Sequence, residues 1–277
     1  MDLLQYGFFQ NALWGIGLIS ITAALIGVYV VCRRMAALAG GVTHACFGGL
    51  GLGYFLGWNP LWPAMAFAIG SSLIVERMSA SGRVRSDSAI AVVWAIGMAI
   101  GVLFVFMTPG YVPELTTFLF GNILTISTAD LIMEAVYAAV LLTVLVIGHR
   151  HIMACAFDPD FARVSGLKVS AINLMMTMLV GIGIVLTICL IGVMLLMSSL
   201  ALPALAAENL TRRYAPMALY AVAISLVTSY SALFLSTVAD VPCSALIVIF
   251  QAAAYAISYP SATVKNNSHR YLHGYYL

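Results

Sequence analysis

The sequence predicts an all-α integral membrane protein, a polytopic bundle of about nine transmembrane helices with the N-terminus outside and the C-terminus inside. Three observations carry that reading. Of the 277 residues, 63% are hydrophobic and only 8% are charged, whereas water-soluble domains carry about 25% charged residues. Apolar stretches long enough to cross a bilayer, about 20 residues each, recur along the chain. All twelve basic residues (Arg33, Arg34, Arg77, Arg83, Arg85, Arg150, Arg163, Lys168, Arg212, Arg213, Lys265 and Arg270) can be threaded onto one side of the membrane. Cytoplasmic loops retain Lys and Arg and translocated loops lack them.

The first span is expected over residues 8–31, stopped by Arg33-Arg34. Its length argues for a retained span rather than a cleaved leader. The second rises over 38–57 to an outer turn at Trp58-Asn59-Pro60, where Asn-Pro favours a turn and Trp suits the interface. The third descends over 61–75 to a polar inner loop at 76–85, and the fourth rises over 87–107, with Asp87 expected as its cap. Residues 108–130 form the longest outer segment and contain no Lys or Arg; the apolar middle, 115–126, is too short to cross and predicts a short outer or re-entrant helix. The fifth span descends over 131–148 to an inner loop at 149–169. The stretch 170–207 carries no charge. One crossing there would strand Arg212-Arg213 outside, so a break near Ile191-Gly192 is expected to divide it into two spans, because glycine permits a sharp backbone turn. The eighth span rises over 217–236, Asp240-Val241-Pro242 turns, and the ninth descends over 243–258. The membrane-spanning domain is therefore expected over 1–258, followed by a polar, disordered cytoplasmic tail over 259–277.

The net charge of +2 is accounted for by topology and leaves no basic patch for nucleic acid. The five cysteines (Cys32, Cys46, Cys155, Cys189 and Cys243) have no paired spacing and read as small apolar core residues rather than disulfides or a thiolate metal site. No Gly-rich phosphate-binding loop and no His-Glu-x-x-His zinc motif occur, so neither ATP hydrolysis nor zinc-dependent catalysis is expected of this chain. No carboxylate stands out at the middle of a span, which argues against an ion-gradient-driven secondary transporter.

The run RRMAALAGGVTHACFGGLGLGYFLG, starting at Arg33, resembles the opening motif of the bacterial metal-ion ABC permeases (ABC-3 type), the membrane subunits of zinc, manganese and iron importers. Further segments resemble that family in its order: SDSAIAVVWAIGMAIGVLF from Ser86, LFGNILTISTADL from Leu119, FDPDFARVSGL from Phe157, IGVMLLMSSLALPALAAENLTRRYA from Ile191 and DVPCSALIVI from Asp240. The resemblance implies a homodimer in the bacterial plasma membrane, similar in fold to cobalamin and siderophore permeases. It also implies an ATP-binding cassette ATPase dimer below, a metal-binding solute-binding protein outside, and no cofactor beyond the transported divalent ion. The family's Asp, four residues before its His, is Gly40 here.

His44, near the cytoplasmic start of the second span, is the candidate for the metal pathway. Ionisable residues inside membranes are costly and usually face a bundle interior or a wet cavity, and imidazole suits zinc and tolerates manganese or iron. The alternative is a structural histidine hydrogen-bonded to a neighbouring backbone. By resemblance, the segment from Pro203 to Pro216, with Glu208, Arg212 and Arg213, forms the element that docks on the ATPase; otherwise it is a plain inner loop. Asp158, Asp160 and Arg163 form the inner-loop motif, with Asp158 before Pro159 reading as a helix cap. Glu114 and Asp240 are the acidic groups expected at the outer mouth, with Asp130 at the edge of the fifth span; they attract a cation or contact the binding protein, or are solvated turn residues. The function expected is a permease subunit that imports zinc, manganese or iron by alternating access driven by a separate ATPase. The alternative is a secondary transporter of a small solute.

Overall fold

The computed structural model describes residues 6–80, 85–109, 121, 123–211 and 213–273. Its elements are α1 (Gly7–Cys32), α2 (Ala36–Leu56), α3 (Leu61–Ala80), α4 (Ser86–Met107), a 3-10 turn (Ile123–Thr125), α5 (Thr128–Phe157), α6 (Pro159–Val164), α7 (Val169–Leu210), α8 (Tyr214–Ala239) and α9 (Cys243–His273). There is no strand among the described residues. In hydrocarbon the backbone must satisfy its own hydrogen bonds, and helices do so locally. By length and composition alone, α1, α4, α5, α7 and α8 can each cross a membrane, and α9 contributes an apolar run over Cys243–Tyr259.

The turns are built by local chemistry. Gly57 closes α2 in the left-handed region (φ 66), where its N–H donates to Tyr54 O and the Trp58 N–H to Gly53 O; the two bonds satisfy carbonyls that a helix end leaves open. Asn59 Oδ1 then accepts from Leu61 N at 3.0 Å, starting α3. Arg34 makes the corresponding closure of α1 at φ 56, a conformation that costs a non-glycine residue roughly 1–2 kcal/mol. Ser127 and Asp130 cap α5 reciprocally. Asp158 accepts from Phe161 N at 2.9 Å and caps α6, with Pro159 at the first helical position. Asp87 departs from expectation. The cap of α4 is Arg85, with no side-chain bond, and Asp87 lies in the first turn, where a carboxylate favours the positive end of the helix dipole.

The uncharged stretch is α7, interrupted at Gly192 (φ 77, ψ 169). Two contacts show that the chain reverses there. Gly183 abuts Ile26, and Gly27 abuts the carbonyl of Leu200. On one straight helix, Gly183 and Leu200 would stand about 25 Å apart, yet they meet adjacent residues of α1. They are placed almost symmetrically about Gly192, as the two arms of a hairpin must be. Counting the arms separately gives nine long helical segments among the described residues, the number of spans expected. The reversal also returns Arg213, beside α8, to the end of the bundle that holds Arg33, Arg34, Arg85 and Lys168.

Of the outer segment at 108–130, residues 110–120 and 122 lie outside the described residues, and with them most of the expected short helix. The rest covers the α7 hairpin. Gly121 (φ 56) lies against the backbone of Ile191 and Gly192. Ile123 and Ile126 are buried, and Asn11 Nδ2 donates to Ile126 O at 3.1 Å.

α1 and α7 form the buried centre, and α4, α5 and α8 are mostly open at the periphery. The open faces are apolar (Val92, Ile96, Leu103 and Phe106 of α4; Ile132, Val136, Val146 and Ile147 of α5), as a lipid-facing or subunit-facing surface requires. α2 and α4 approach closely enough that a Cβ on Gly51 would overlap the Gly101 backbone, and one on Gly97 the Cα of Ala45. Small residues permit that contact where lipid supplies no hydrophobic drive between helices.

Candidate functional site

Three polar features interrupt the apolar bundle. The first is a cavity of about 270 Å³ between α2, α3, α5 and α7, reaching from the Asn59-Pro60 turn down to Glu134. Tyr54, Asn59, Asp130, Glu134 and Cys189 line it. Glu134 is 0% exposed. Its Oε1 accepts from the Thr22 hydroxyl at 2.7 Å, and its Oε2 has no hydrogen-bond partner among the described residues. Thr22 lies about 15 Å along α1 from Cys32 and about 22 Å from Gly7, so this carboxylate sits near the middle of the bundle.

Glu134 corrects the sequence reading that no carboxylate stands at mid-span. It passes unnoticed in the sequence because the fifth span was expected to begin near residue 131, which makes Glu134 look like an edge residue. A signal was available: Glu134, Tyr137, Ala138, Leu141 and Leu145 form the buried stripe of α5 at three- and four-residue spacing, the periodicity of a core-facing helix stripe.

The second feature surrounds His44, in the inner half of α2. Its ring stacks nearly parallel on Trp94 of α4, with centroids 4.6 Å apart, and more distantly on Phe47 at 6.3 Å. Nδ1 is buried without a hydrogen-bond partner among the described residues. One turn inward, a Cβ on Gly40 would stand 2.9 Å from the terminal methyl of Met197; the family's carboxylate position is here turned toward α7. Among the described residues, no three His, Cys, Asp or Glu side chains gather as a ready-made metal cluster.

The third feature is the cytoplasmic end. Arg33 bridges α1 to α3 through two contacts of 3.3 Å to the Glu76 carboxylate. A cavity of about 520 Å³ beside it is lined by Arg33, Arg34, Phe157, Glu208 and Met217. The segment from Pro203 to Pro216 is not a separate short helix. Pro203 is buried within α7, Glu208 is exposed near its end, and Arg213 is the exposed N-cap of α8. Arg212 lies outside the described residues. Asn209 Nδ2 donates to Ser258 Oγ at 3.0 Å and ties this end to α9. The inner-loop motif is the cap of α6 already described, and Arg163 pairs with Asp160 at 2.9 Å where both are largely exposed, a contact of small energetic weight. At the opposite end, Asp240 (φ 53) terminates α8 and lines an outer cavity of about 530 Å³ beside Gly121 and Ser236. Glu114 lies outside the described residues. The structure thus puts Glu134 and Asp130 in one cavity and Arg34 with Glu208 in another; it does not gather the sequence-derived candidates into one site.

A multi-pass helical bundle with polar recesses reaching in from both ends has the architecture of a membrane transport protein. Residues 5–261 match the ABC 3 transport family, and the chain belongs to it. It is 33% identical over 258 residues to an uncharacterized membrane protein of Synechocystis sp., covering 93% of this chain and 92% of that one. It is 31% identical over 258 residues to a probable iron transport system membrane protein of Haemophilus influenzae, covering 93% of this chain and 95% of that one. The fold is similar to PsaBC from Streptococcus pneumoniae, solved in complex with Fab, with a TM-score of 0.82 at 23% identity and 93% of both chains covered.

Proposed function

We propose that this chain is the membrane-spanning permease subunit of an ABC importer for a divalent metal ion, with zinc, manganese and iron as the candidate cargoes. The observation that carries the reading is the family match over nearly the whole chain, joined to the iron transport relative aligned over 93% of it. The cavity ending at Glu134 and the basic, Glu208-bearing opposite end suit a carrier exposed alternately to the two sides. The chain works as a homodimer, packing part of the open α4 and α5 faces against a second copy and the remainder against lipid. It takes metal from an extracytoplasmic binding protein and is driven by an ATPase dimer docked at the end formed by α6 and the α7–α8 junction. The ion is cargo, and the chain itself binds no cofactor.

Uptake of labelled zinc, manganese and iron by a deletion strain, with and without the gene restored, tests the proposal. Restoration of uptake for at least one of the three, dependent on the companion ATPase, is expected. No difference for any of them would overturn it.

A further inference from the structure

We infer that Glu134 is the inner ligand of a divalent-cation site at the floor of the outer cavity, a staging position for the ion on its way through the permease; the inference rests on the proposed function. Three features of this carboxylate point to a ligand. Its Oε2 is buried, and no hydrogen bond or basic side chain among the described residues satisfies it. Its Oε1 has one donor, Thr22, and that hydroxyl also lies 3.2 Å and 3.3 Å from the carbonyls of Leu18 and Ile19. A hydroxyl has one proton to give, so Glu134 receives at most one hydrogen bond from it. A buried carboxyl so poorly matched either holds a proton or draws in a counter-charge, and a divalent cation supplies the counter-charge.

The cavity supplies the route by which one arrives. Asp130 lies one turn outward on the same face of α5, with one carboxylate oxygen held by the Ser127 cap. Its charge faces the same space as Glu134. Asn59 and Tyr54 stand on the α2–α3 wall, and Cys189 on the α7 wall. Cys189 lies three residues before the buried Gly192 hairpin and lines the cavity as an exposed residue. Carboxylate and carbonyl oxygens select manganese-like cations, and a lone thiol adds tolerance for softer ions such as ferrous iron. The ligand class is therefore a hard-to-borderline divalent cation, held by Glu134 and drawn in by Asp130.

Mn²⁺ binding to the full chain in lipid nanodiscs tests this directly. The wild type is expected to bind one Mn²⁺ per protomer, and Glu134→Gln, which keeps the shape and the acceptor for Thr22, to weaken binding by roughly 30-fold or more. Glu134→Asp should recover part of that loss. A second readout needs no change at Glu134. In a chain retaining Cys189 as its only cysteine, Mn²⁺ should slow modification of that thiol by a membrane-impermeant reagent, and Mg²⁺ should do so less. Unchanged Mn²⁺ binding by folded Glu134→Gln, or no protection of Cys189, overturns the site. If the wild type nevertheless imports metal in cells, the permease reading stands while this inference falls. If it imports none, that reading fails on its own evidence.

Discussion

His44 and Glu134 are ionisable side chains on long apolar helices, and their surroundings differ. His44 stacks on Trp94 in the inner half of the bundle, with one ring nitrogen buried and unpartnered among the described residues. That nitrogen makes no hydrogen bond to a neighbouring backbone among the described residues, so the ring is held there by its stacking on Trp94 and Phe47. With His44 as the pathway residue proposed from the family motif, His44→Ala is expected to cut metal uptake strongly while leaving expression and thermal stability in detergent near those of the wild type. Loss of stacking removes about 0.5–1.5 kcal/mol, too little to unfold the bundle. Uptake normalised to folded protein checks this, and a collapse of the melting temperature with transport per folded molecule intact would assign His44 to packing.

At the scale of the element, α7 turns on one residue. Gly192 holds φ 77 and ψ 169 at a buried hairpin, a region that residues with a Cβ occupy at a cost of about 1–3 kcal/mol. Gly192→Ala is expected to lower the unfolding midpoint of the detergent-solubilised protein by several degrees. An unchanged midpoint would show that the hairpin does not depend on this conformation. The other end of the same helix carries Glu208, exposed and beside Arg33 and Arg34. Reversing its charge leaves the packed core untouched. Glu208→Lys is expected to insert and fold normally but to lose stimulation of the companion ATPase by loaded binding protein. Normal stimulated ATPase activity and normal uptake would remove this end of α7 from the coupling surface.

For the whole molecule, the hairpin fixes the parity of every helix after it. With the reversal at Gly192, the α7–α8 junction lies at the same end as the α1–α2 junction, so that Arg213 shares that end with Arg33 and Arg34. Single cysteines at Ser165 and Arg213, in a cysteine-free background, are accordingly expected to resist a membrane-impermeant thiol reagent applied to intact cells, and those at Trp58 and Ala239 to react. Reaction at Arg213 with protection at Ala239 would mean that α7 crosses once, and would invert α8 and α9.

The sequence by itself determined the class of molecule and its nine long helical segments, and it sets the orientation that the cysteine labelling tests. Those properties follow from hydrocarbon thickness and the placement of charge, and both are written residue by residue along the chain. It also located the break at Ile191-Gly192, because two residues, Arg212 and Arg213, would otherwise fall on the wrong side. Local capping was legible where one short polar side chain decides it, as at Asp158, and misread at Asp87, where the helix begins a residue earlier than its first charge suggests. Only the tertiary structure decided what the polar side chains face. The outer cavity is walled by α2, α3, α5 and α7, segments as far apart in the chain as Tyr54 and Cys189, and no local pattern records that they meet. Glu134 stands in the sequence as one acidic residue at the edge of an apolar run. Its importance comes from burial, from Thr22 more than a hundred residues away, and from an oxygen left without a partner among the described residues beside a cavity that exists only once the bundle has closed.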